Sequence, residues 1–152
     1  MELTGVFLQL GEERLKQLLR VISIGKLRTY QLYERFKIRT HLPKLNTENV
    51  RLAAPRFWKR LEAGDQEFAT DLAQAVLVSH LDMIVAVLDF LGIPHQQGFF
   101  EKDVDARAQL TEGWEARVYS QFQTAYPDAL LLFYLNHLGL ELAGAQQVWL
   151  PA

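Results

Sequence analysis

Apolar positions along this chain recur every three or four residues and rarely every two, a pattern that predicts helices and little or no strand. After Gly11, the pair Glu12 and Glu13 places acid in a first helical turn. Leu15, Leu18, Leu19 and Ile22 then share one face, with Gly25 as the expected stop. A second helix is expected from Leu27 to Phe36, where Leu27, Tyr30 and Tyr33 are spaced by threes. The following KIRTHLPKLN has no period. Asn46 or Thr47 is placed to cap a short helix running through Val50 to Ala53. Pro55 opens the helix PRFWKRLEA, because proline is tolerated in a first turn but costs about 3 kcal/mol in a helix interior. Gly64 and Asp65 read as its stop and the next N-cap.

A long helix is expected from Gln66 to about Leu91, closed by Gly92 and barred from continuing by Pro94. Between Ala75 and Leu91 it is apolar on most faces, which marks it as the central element of the core; Leu81, Ile84 and Leu88 share one face. Asp103 is placed to cap a short segment ending near Leu110. Thr111 is placed to cap a helix in which Trp114, Val118, Tyr119 and Phe122 recur at helical spacing. Tyr126-Pro127 breaks that helix, and the next, ALLLFYLNHL, is expected to stop at Gly139. Val148, Trp149 and Leu150 are apolar enough to anchor the tail. The expected fold is therefore all-α, with six to seven helices. A short basic N-terminal helical group would pack on a bundle built around the apolar helix at about 66–91. No repeat or Gly/Ser linker interrupts the chain, so residues 1–152 read as one domain with a possible internal boundary near Gly64.

Composition narrows the class. The 152 residues are 49% hydrophobic and 22% charged, as in soluble globular proteins. Cysteine is absent, which excludes disulfides, thiolate metal ligands and cysteine nucleophiles. The opening MELTGVFLQL lacks a basic n-region, and the most apolar stretch contains His80, Asp82 and Asp89. A cytoplasmic protein with no membrane partner is the expectation.

Charge adds the one positive functional signal. Residues 1–62 hold 13 Lys/Arg against 6 Asp/Glu, and residues 63–152 hold 3 against 12, within a whole-chain net charge of −2. Lys26 to Arg60 carries ten cations against Glu34 and Glu48, interleaved with Tyr30, Tyr33, Phe36, Phe57 and Trp58. Cations bind phosphates and carboxylates, and aromatic faces stack on bases, so the stretch suits a polyanion. The aromatics at helical spacing also suit a core, and the cations suit an acidic protein surface. A basic helix after two short ones is helix-turn-helix-like in outline, but the turn is long and contains Pro43.

Other chemistry is sparse. The nine glycines are isolated, so no phosphate-cradling loop is present. Ser23, Ser79 and Ser120 lack the flanking glycines of a nucleophile elbow. His41, His80, His95 and His137 fall far apart, with no HExxH or Glu-x-x-His pair. EKDVDA does not fit a calcium loop, whose twelfth position would fall on Trp114. No catalytic motif assigns a reaction, and no cofactor is implied. The sequence therefore favours a non-enzymatic helical interaction module. Its partner-binding residues are expected at Lys26, Arg28, Arg35, Arg56, Trp58, Lys59 and Arg60, meeting an acidic protein surface or a second copy. Nucleic-acid binding through the same stretch is the first alternative. A metal-dependent enzyme built around His80, His95 and His137 is the second.

Overall fold

The computed structural model describes residues 1–29, 47–100 and 105–152, with backbone only at Arg28, Thr47, Asn49 and Val50. The described residues form nine helices: α1 (Leu3–Leu10), α2 (Glu12–Arg20), α3 (Ile24–Thr29), α4 (Thr47–Leu52), α5 (Ala54–Glu62), α6 (Gln66–Val78), α7 (Leu81–Leu91), α8 (Trp114–Phe122) and α9 (Asp128–Ala143). The only β feature among them is an isolated bridge between Gln96 and Phe99. The fold is all-helical, as the periodicity requires. The count exceeds the expected six to seven in part because residues 3–10 fold as α1, and in part because the long central helix is two.

That break is local chemistry. Ser79 Oγ donates to the carbonyl of Ala75 at 2.8 Å, the acceptor a continuing helix would use, and accepts the Ser23 N–H at 2.9 Å. His80 then leaves helical backbone geometry (φ −136°, ψ 45°) before α7 begins. The same residue pair divides the described chain into two compact units, Glu2–Ser79 and His80–Ala152.

In the first unit, α1 packs on α2, α5 and α6, α2 on α4 and α5, and α3 on α6. Val6, Phe7, Leu15, Leu18, Leu19, Leu27, Phe57, Leu61, Phe68 and Leu72 supply its core. The Phe57 and Phe68 rings meet at 4.9 Å. Gly25 is not the expected stop. It lies inside α3, because Ser23 Oγ accepts the Lys26 N–H at 3.2 Å and starts that helix just before it. The α5–α6 joint is as expected: Gly64 takes a left-handed φ of 76°, and Asp65 caps α6 by accepting the Phe68 N–H at 3.0 Å.

In the second unit, α7 closes on Gly92 (φ 73°) with the Ile93 N–H reaching Leu88 O at 3.0 Å, a Schellman ending. Ile84 and Leu88 are buried with Met83 and Val87, whereas Leu81 is half-buried. Residues 105–110 form turns and not a helix, and Asp103 lies outside the described residues. Gly113, not Thr111, is the N-cap of α8. The Thr111 hydroxyl instead accepts from Arg117 Nη2 at 2.7 Å. The helix buried around its whole circumference is α9, where Ala129 to Asn136 are all buried. Gly139 does not end it. A Cβ there would stand 3.3 Å from the Trp114 ring, so this glycine admits the ring against the helix backbone, and α9 runs on to Gly144 (φ 61°). No single helix among the described residues is long and apolar enough to cross a membrane.

Candidate partner-binding face

Helix α5 is strongly two-sided. Ala54, Phe57 and Leu61 enter the core of the first unit, which turns Arg56 and Lys59 outward to solvent. Neither cation forms a hydrogen bond or ion pair with a described residue, and Trp58 between them is half-buried. Lys26 on α3 is likewise exposed. Arg35 lies outside the described residues, as does the side chain of Arg28.

Arg60 has different work. Its guanidinium pairs with Asp65 at 2.8 Å and covers the Phe68 ring, 4.2 Å from the centroid. Because Asp65 is also the α6 cap, Arg60 braces the joint between two helices. It stands among the sequence-predicted binding residues, but its contacts are those of the fold.

A groove opens where α2 meets α4 and α5. It is lined by Glu13, Lys16, Arg20, Arg51, Leu52, Ala54 and Pro55 and encloses about 310 Å³. Leu52 is 62% exposed, the most open large apolar residue described. Lys16 pairs with Glu13 at 3.2 Å, and Arg51 pairs with Glu48, whose carboxyl this hydrogen bond holds below the usual carboxylate range. Arg20 is exposed, and its guanidinium forms no ion pair with a described residue. Lys16, Arg20 and Leu52 precede or interrupt the densest cationic run, so charge density along the chain does not single them out. The available signal was the i, i+4 spacing of Lys16 and Arg20, opposite the Leu15–Leu18–Leu19 face.

The aromatics separate the two polyanion readings. Phe57 is 3% exposed and stacked in the core, so it offers no platform to a base. Tyr30, Tyr33 and Phe36 lie outside the described residues. In the second unit, exposed Phe90 meets Phe122 edge-on at 5.6 Å, and Phe122 meets Tyr126 at 6.0 Å. This unit carries 3 Lys/Arg against 9 Asp/Glu, where the first carries 13 against 9.

The histidines find local partners. His95 Nε2 lies 2.7 Å from Asp89 Oδ1, and its Nδ1 accepts the Gly98 N–H at 3.0 Å. His137 and Glu141 stand one turn apart at 4.0 Å because α9 continues through Gly139. Burial pushes the His137 imidazole pKa down against the opposing pull of Glu141. His41 lies outside the described residues. Among the described residues no three His, Asp or Glu side chains converge to hold an ion. A second cavity of about 260 Å³, between α8, α9 and the tail, presents Glu115 as its one ionisable side chain. Comparison of the chain with protein-family models, with curated proteins and with solved structures gives no match, so the functional reading rests on this chain's own residues.

Proposed function

We propose that this chain is a non-enzymatic interaction module whose basic face, carried by the unit Glu2–Ser79, engages an acidic protein surface. The observation that carries the reading is the combination on that unit of cations with no carboxylate partner among the described residues and an exposed apolar residue. Arg20, Lys26, Arg56 and Lys59 point to solvent, while Leu52 lies open beside Arg20 and Arg51. An exposed leucine beside cations offers a protein partner apolar area that a phosphate ligand would leave uncovered. The withdrawal of Phe57 into the core argues the same way against base stacking.

The test uses the reversal Arg56→Glu with Lys59→Glu, which leaves Arg60 and its joint intact. Wild-type protein is expected to bind an oligoglutamate peptide by fluorescence anisotropy and the reversal variant to lose it. An oligonucleotide is expected not to bind at physiological salt. If the partner is a second copy, wild-type protein sediments as an oligomer and the reversal variant as a monomer. Tight oligonucleotide binding, with log affinity falling against log salt at a slope of about −3 to −5, would assign the face to nucleic acid instead.

A further inference from the structure

Resting on that reading, we propose that the groove between α2, α4 and α5 is the docking site, and that its ligand is an acidic protein segment presenting one large apolar side chain flanked by carboxylates. Leu52, Ala54 and Pro55 supply the apolar lining of the groove, and Lys16, Arg20 and Arg51 line it beside Glu13. A volume of about 310 Å³ lies at the bottom of the range of small-ligand sites, roughly 300–1,000 Å³. It accommodates one inserted side chain.

The charges are graded for exchange. Arg20 has no partner among the described residues and can take a carboxylate directly. Lys16 is held by Glu13, and Arg51 by Glu48, in solvent-exposed pairs separated by one turn. Such pairs contribute little, so an incoming carboxylate replaces either at small cost. Pro55 sits in the first turn of α5 and Ala54 is buried, so the α5 side of the groove is backed by the core of the unit.

The experiment compares two labelled peptides of Glu and Ala, one with a central Leu and the other with Ser in its place, and an oligonucleotide competitor. The wild type is expected to prefer the Leu peptide by about tenfold or more, the scale of burying one apolar side chain. Leu52→Ser should erase that preference, and Arg20→Glu should weaken both peptides by about tenfold. Both residues are exposed, so circular dichroism of these variants should match the wild type. Equal binding of the two peptides by the wild type, or a preference that survives Leu52→Ser, overturns the groove. Peptide binding that ignores Arg20→Glu and is lost only in the Arg56→Glu, Lys59→Glu variant also overturns the groove, while the basic-face reading stands. Binding of neither peptide, or displacement of both by the oligonucleotide, overturns both.

Discussion

Replacing Asn136 by leucine tests how the C-terminal tail is held. Asn136 is 4% exposed on the most buried helix, and its amide makes three hydrogen bonds. Nδ2 donates to Leu132 O at 2.9 Å and to Trp149 O at 3.0 Å, and Oδ1 accepts the Trp149 N–H at 2.7 Å. One side chain thus satisfies both backbone groups of Trp149, much as a strand neighbour would. Leucine shares the branched shape of asparagine, is somewhat larger and has no polar atom, so Asn136→Leu removes these bonds without opening a cavity. The bond to Leu132 costs little to lose, because that carbonyl faces the helix's own i+4 donor. The two bonds to Trp149 are worth about 1 kcal/mol each, and the half-buried position lets water replace part of them. A loss of about 2 kcal/mol is expected in urea unfolding, bounded above by the loss on deleting residues 145–152, since the tail can do no more than detach. Amide exchange at Trp149 should accelerate while exchange within α9 does not. A loss below about 0.5 kcal/mol with unchanged protection at Trp149 would refute this account of the tail.

Leu88→Ala should cost about 2–5 kcal/mol, because Leu88 is fully buried on α7 and alanine leaves a cavity; a loss below about 1 kcal/mol in the same urea assay would place that face at the surface. The lowered pKa of His137 predicts a pH effect of definite sign. The unfolded chain takes up the proton more readily than the folded one, so the contribution of His137 is complete above about pH 6.5 and declines as pH falls toward its depressed folded value. Urea midpoints at pH 7.5 and 5.5 should therefore fall further for the wild type than for His137→Leu, and equal falls would show that the imidazole titrates without cost.

Helix positions were legible wherever a punctuating residue acted through its own backbone. Gly64 and Asp65 close α5 and cap α6, Pro55 lies in the first turn of α5, and Gly92 ends α7, each where chain-local rules place it. The errors have other causes. Gly139 reads as a stop because a glycine looks the same in sequence whether it terminates a helix or admits a neighbour, and Gly25 because a cap two residues earlier restarts the helix around it. Gly139 is set by the Trp114 ring, which is remote in the chain. Ser79 reads in sequence as a small polar residue inside one long helix, yet its hydroxyl accepts the Ser23 N–H, fifty-six positions away, and the helix ends there.

The candidate face divides the same way. Sequence alone determined that the N-terminal part is cationic and that α5 has a charged side, because charge and helical period are properties of the residues in order. It could not assign each cation a task. Arg60 and Arg56 are equivalent in sequence, but only Arg60 lies within reach of Asp65 and Phe68. Lys16, Arg20 and Leu52 become neighbours only because α2 packs on α4, so their groove has no sequence signature. Local propensity acts over a turn or two of helix and is written in the chain; which side chains share a surface depends on packing between segments far apart in it, and the tertiary structure alone decides that.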